Sequence, residues 1–153
     1  MPEVRSQEVL VGSWIMDGGP GQFKMIASYT PCGDGSFVAV AFPGIDFDWT
    51  LGGLKPTAVQ ATPFHGVVEV DEQGIEFILV GYIVDNCSKA VYILKAVGSK
   101  TVVDQDTLSV ENLVFHFYND PETSNPVTDQ ADFYIPHSGT FPPIHEYRIK
   151  LIK

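Results

Sequence analysis

Apolar and polar residues alternate along most of this chain, and the alternation restarts after clusters of Gly, Pro, Asn and Asp. Successive side chains of a strand point to opposite faces, so a two-residue period marks a strand with one covered face. On that basis the sequence predicts strands at 9–17, 22–30, 36–42, 46–52, 58–71, 75–85, 89–100, 105–119, 131–138 and 143–152. Gly18-Gly19-Pro20-Gly21 and Cys32-Gly33-Asp34-Gly35 supply turn residues tolerant of positive φ. Asp71-Glu72-Gln73-Gly74 and Asp85-Asn86-Cys87-Ser88 read as hairpin loops. Only residues 3–10 allow a short turn of helix, and the polar run 120–130, with Pro121 and Pro126, predicts a surface loop.

The alternation also assigns faces. In the second strand Phe23, Met25, Ala27 and Tyr29 oppose Lys24 and Ser28. In the last, His145, Tyr147, Ile149 and Leu151 form the apolar face, and Glu146, Arg148 and Lys150 the polar one. Strand 105–119 offers two faces, Leu113–Phe115–Phe117 and Val114–His116–Tyr118, and the pattern does not choose between them. Strand 75–85 is apolar on both faces, so its outer row needs a helix, a loop or a second subunit over it; the last option makes the protein a homodimer. Sequential hairpins without crossover helices predict an up-and-down meander, and closure removes its edges. The expected fold is therefore all-β: a closed antiparallel up-and-down barrel of about eight to ten strands with an apolar interior, one domain over 1–153. Counting those strands puts loops 18–21, 43–45, 72–74, 101–104 and 139–142 at one end. Loops 31–35, 53–57, 86–88 and 120–130 fall at the other, with Trp14.

Composition narrows the partners. The 153 residues are 44% hydrophobic and 18% charged, enough to bury a core without metals or disulfides. The net charge is −10 with no basic stripe, which argues against nucleic acid and anionic membrane as partners. Met1-Pro2-Glu3-Val4-Arg5 lacks the pattern of a secretory signal and no apolar run reaches transmembrane length, so the expected location is cytoplasmic. Cys32 and Cys87 fit no metal spacing and read as plain thiols. No His-x-His, His-Glu-x-x-His, Cys-x-x-Cys, Gly-x-Ser-x-Gly, P-loop or Gly-x-Gly-x-x-Gly occurs, so the sequence calls for no metal and no cofactor.

Val11-Gly12-Ser13-Trp14 opens the first strand after a possible short helix, and this resembles the Gly-x-Trp signature of lipocalins and the wider calycin group. The resemblance extends loosely through the hairpin order to lipocalin-like domains of unassigned function. It implies that Trp14 plugs the closed end of a barrel and that a basic residue of the last strand, matched by Arg148, packs across it. The second lipocalin signature, a central Thr-Asp-Tyr, is missing.

Candidate chemistry rests on dispersed residues. On the face assigned inward, His145 and Tyr147 form either a hydrogen-bonded core pair or the polar anchors that polarise a bound carbonyl or move a proton. Phe23, Met25, Tyr29 and Phe133 are the expected walls of the ligand site, with His116 and Tyr118 as a second His–Tyr pair. Asp46 and Asp48, beside Trp49, share a face and are either a solvated edge or an acid–base pair; His65 and His137 stand alone. Three functions follow: a carrier or sensor of a small apolar molecule held in the barrel, a cofactor-free isomerase, cyclase or lyase acting on a reactive apolar substrate in the same cavity, and an interaction module filled by its own side chains.

Overall fold

Val, Ile, Phe and Tyr at alternate positions favour a pleated, half-covered surface, and they build ten strands in the computed structural model, which describes residues 10–18, 24–29, 36–41, 53–72, 74–137 and 143–151. These are β1 Gly12–Asp17, β2 Lys24–Tyr29, β3 Ser36–Ala41, β4 Gln60–Ala61, β5 Phe64–Asp71, β6 Gly74–Val84, β7 Ala90–Asp104, β8 Thr107–Tyr118, β9 Phe133–Pro136 and β10 Ile144–Arg148. All pairings are antiparallel, in the order β10-β1-β2-β3-β5-β6-β7-β8-β9, with β4 beside β6. β10 pairs with β8 as well as with β1. The result is an all-β, up-and-down sheet, strongly curled into a half-barrel.

Bulges help it curl. The β7–β8 register shifts between Val97 and Ser99, where Asn112 takes φ 53°, and again between Val102 and Asp104. The concave face carries the core: Trp14, Met16, Met25, Phe64, Phe77, Leu79, Leu94 and Phe117 are all buried. Small residues sit where large ones lean in. A Cβ on Gly81 would stand 2.5 Å from the Phe64 ring, and one on Gly98 would stand 3.1 Å from the Phe77 ring.

The outer face has a core of its own over β7 and β8, where Ile93, Tyr118 and Ala131 are buried with Val80 against them. The loop 119–132 covers it. Its polar residues close turns on themselves: the Ser124 amide donates to the Asp120 carbonyl (3.0 Å), and the Asn125 amide to the Asp129 carboxylate (2.7 Å). Tyr118 donates its hydroxyl to the Asp129 carbonyl (3.1 Å), and Lys95 donates to the Pro126 carbonyl (2.8 Å). The double apolar character of β6 is thus only partly answered: Val80 is covered, while Ile78 and Tyr82 remain 40% and 45% exposed.

Several expectations need correction. The expected strand 58–71 is two strands, broken at Thr62–Pro63, because proline has no N–H for the ladder. β7 runs on to Asp104, so its hairpin turn is Gln105–Asp106 rather than 101–104. The expected strand 46–52 lies outside the described residues, and β3 pairs directly with β5. That pairing reverses the expected ends of the later loops: the turns after β5 and β7 lie at the Trp14 end, and 53–57, 86–88 and 120–130 lie at the opposite end. Cys87, exposed, goes with the latter, and Cys32 is outside the described residues. No helix among the described residues is long and apolar enough to cross a membrane.

Candidate functional site

The inward positions of seven strands converge on one apolar crevice. Met16, Met25, Phe64, Phe77, Leu79, Leu94, Ala96, Leu113, Phe115 and Ile144 surround a free space of about 30 Å³. Its wall contains no charged or hydrogen-bonding side chain. The space holds a water molecule or two, and ligand pockets run to ~300–1,000 Å³.

Beside it lies a buried polar triad. Lys100 ends the inward row Tyr92, Leu94, Ala96, Gly98 of β7; Glu146 lies between Ile144 and Arg148 on β10; Tyr29 ends β2. The Lys100 ammonium donates to Glu146 Oε2 at 2.6 Å and to the Tyr29 hydroxyl, and the Tyr29 hydroxyl donates to Glu146 Oε1 at 2.8 Å. Both charged side chains are fully buried. Lys100 Nζ also stands 4.8 Å from the Tyr29 ring centroid and 4.7 Å from that of Phe77, whose ring borders the crevice. Burial lowers the lysine's pKa against the opposing pull of Glu146. Burial, then the charge of Glu146, raises the phenol well above its ordinary value. A desolvated amine, a carboxylate and a phenol in mutual contact can exchange protons, and each satisfies the others; no buried side-chain N or O among the described residues lacks a partner.

Trp14 is fully buried near one end, and its indole N–H donates to the Leu10 carbonyl at 2.9 Å. The Arg148 guanidinium stands 4.4 Å over its ring, donating to the carbonyls of Val11 (2.7 Å) and Gln105 (3.3 Å) and to the Asp106 carboxylate (3.1 Å). This crowding accounts for Gly12: it takes φ +124°, and a Cβ there would lie 3.3 Å from the Arg148 guanidinium.

The structure separates most of the residues singled out by pattern. The faces of the last strand are the reverse of the expected ones: Ile144 and Glu146 point inward, His145 is half-buried on the outer face beside Asp17, and Tyr147 is 46% exposed. Their rings lie 6.2 Å apart outside the sheet, so neither reaches the crevice. The more apolar row lies outside there because Lys100 and Tyr29 make the inward Glu146 tolerable. Leu113, Phe115 and Phe117 take the concave face; His116 and Tyr118 take the outer one, His116 against Tyr134 at 4.7 Å and Tyr118 under the loop. Met25 lines the crevice, and Tyr29 is committed to the triad. Phe133 stacks on Phe117 at 5.0 Å beside Tyr92, and His137 packs edge-on to Phe115 at 6.1 Å. His65 is exposed; Phe23, Asp46, Asp48 and Trp49 lie outside the described residues. Lys100 and Glu146 are the residues the pattern missed, although Lys100 stands in register with an otherwise apolar row. Among the described residues no group of three or more His, Cys, Asp or Glu is placed to hold a metal.

No protein-family model, no curated protein and no solved structure matches this chain.

Proposed function

We propose that the protein is a carrier or sensor that takes a small, predominantly apolar molecule against the concave face of the sheet, and that the half-barrel works as a closed, lipocalin-like barrel around it. The observation that carries this reading is the convergence of ten apolar side chains from seven strands on one crevice. The pairing of β10 with both β1 and β8 supports closure, and the Trp14–Arg148 stack supports the lipocalin comparison. A free space of about 30 Å³ means that a ligand enters by displacing side chains. Met16 and Met25 are unbranched and move at least cost. An all-apolar wall selects an uncharged, hydrocarbon-rich molecule, because a carboxylate there would lose its water without gaining a partner.

Titration with Nile red, a neutral apolar dye, tests this. The expected result is one saturable site per chain with blue-shifted emission. Ala96→Leu, which fills the crevice, is expected to weaken binding on the order of tenfold, as for ~1.4 kcal/mol of lost contact, while circular dichroism stays unchanged. Unaltered affinity in that variant would overturn the assignment. The alternative reading, a cofactor-free isomerase, cyclase or lyase, is favoured by one observation, the buried, hydrogen-bonded Lys100–Tyr29–Glu146 triad beside the crevice. Turnover of a reactive polyene or enone that disappears in Lys100→Met would select it over a carrier.

A further inference from the structure

Two rows cross the outer face of the sheet side by side. Val67, Ile78, Val97 and Val114 are successive cross-strand partners on β5, β6, β7 and β8. One outward position further along each strand, with the β8 bulge taking up the offset, the partners are Glu69, Glu76, Ser99 and Glu111. Val67 and Ile78 are 54% and 40% exposed. The bulge at Asn112 opens the face into a groove of about 380 Å³ along the rows, lined by Val67, Glu69, Glu76, Ile78, Val97 and Ser99. Asn112 closes one side by donating its amide to Ser99 Oγ at 3.1 Å.

The acidic row is unbalanced. Glu69 faces Glu76 directly, and like charges opposed in an antiparallel ladder weaken it. Neither carboxylate makes an ion pair among the described residues, and Lys95, on the same face, is turned to the Pro126 carbonyl. The fold therefore keeps two opposed carboxylates beside exposed aliphatic side chains without any internal gain from them.

We propose that this face docks a protein segment presenting an aliphatic stripe beside a row of Lys or Arg side chains. The aliphatic row accepts the stripe, and the glutamates supply the opposite charge. A second copy of this chain is the poorer occupant: two chains of net charge −10 repel, and with 9 basic against 19 acidic residues the chain is poor in the charge this face calls for. The sign of the row turns away nucleic acid and anionic lipid. This inference does not rest on the concave-face reading: no residue of the aliphatic or acidic row lines the crevice, and Phe77, which borders both hollows, belongs to neither row.

The test uses the full chain and labelled helical peptides followed by fluorescence anisotropy. One peptide carries leucines along one stripe and lysines along the next; a second replaces leucine by serine, and a third replaces lysine by glutamate. The first alone is expected to bind, with affinity falling as salt rises. Glu69→Gln with Glu76→Gln is expected to weaken it on the order of tenfold and flatten the salt dependence, while raising the melting temperature because the repulsion is gone. Val67→Ser is expected to weaken it without changing the salt dependence. Equal binding of the serine peptide, unchanged affinity in the double glutamine variant, a lower melting temperature in that variant, or a stable dimer in light scattering that excludes the peptide would each overturn the proposal.

Discussion

Glu146→Leu is expected to be more damaging than removal of the whole triad. The single change leaves Lys100 charged or forced neutral in a site with no exposed surface, and breaking a buried pair from one side costs about 3–5 kcal/mol. That is a large share of the ~5–15 kcal/mol that holds a domain folded. Lys100→Met added to Glu146→Leu removes both charges and keeps the volume, but takes the Lys100 and Glu146 hydrogen bonds from the Tyr29 hydroxyl, at about 1–3 kcal/mol. Adding Tyr29→Phe removes that penalty, and the triple variant is expected to match or exceed the wild type by up to ~4 kcal/mol. Urea denaturation of the four proteins, with slopes compared to check two-state behaviour, reads the order directly. A Glu146→Leu cost under about 1 kcal/mol, or a triple variant as unstable as the single one, would refute the reasoning. Alkaline titration gives a second reading. Folded Lys100 holds its proton less tightly than the unfolded side chain, so below 10.5 the unfolded chain carries more protons and stability rises with pH. Tyr29 acts in the opposite sense: above 10.0 the unfolded phenol loses its proton first, and stability falls. Relative to the triple variant, the wild type is expected to gain stability up to about pH 10 and lose it beyond.

Gly81→Ala drives a methyl into the Phe64 ring, and overpacking of this kind is expected to cost about 1–3 kcal/mol, visible as a lower urea midpoint; an unchanged midpoint would mean the ring moves freely. Trp14→Ala empties a fully buried site and is expected to cost about 3–5 kcal/mol in the same assay, with no loss counting against its place in the core. On the acid side, burial holds His116 and His137 below their ordinary 6.5, so the unfolded chain takes up protons first and stability falls as pH drops through 6.5. Replacing both histidines with Phe should flatten that slope, and an unchanged slope would exclude them as its source.

Much of the sheet was legible because burial imposes a period. Met25, Ala27 and Tyr29 alternate with exposed Ile26 and Ser28 as the pattern reads, and the β5–β6, β6–β7 and β7–β8 hairpins turn at polar or glycine-bearing loops. The site was less legible, for two physical reasons. Alternation fixes which residues share a face but not which face is inside, and on β10 the inward face is the one with the glutamate. The sign of that choice depends on Lys100 and Tyr29, 46 and 117 residues away, whose contact exists only after the sheet has curled. Similarly, the pattern leaves open which face of its strand Tyr118 takes, and the structure buries it from outside by a loop whose turns are local and whose docking site is not.

The triad also bears on how one curl is chosen. Tyr29, Lys100 and Glu146 sit on β2, β7 and β10, no two of which are paired strands, so their contacts tie the sheet across its hollow. Apolar side chains such as Leu79, Leu94 and Met25 lose little by exchanging neighbours, whereas a buried ammonium and carboxylate tolerate only the arrangement that joins them. The hypothesis is that the triad contributes uniqueness more than stability. The triple variant Tyr29→Phe, Lys100→Met, Glu146→Leu should then unfold at equal or higher urea and yet show broadened, less dispersed amide resonances, with faster hydrogen exchange in β2, β7 and β10 than in β5 and β6. Because stability is matched, that contrast cannot come from global unfolding. A spectrum as sharp as the wild type's, with exchange unchanged in those three strands, would sink the idea and leave the triad as a replaceable part of the core.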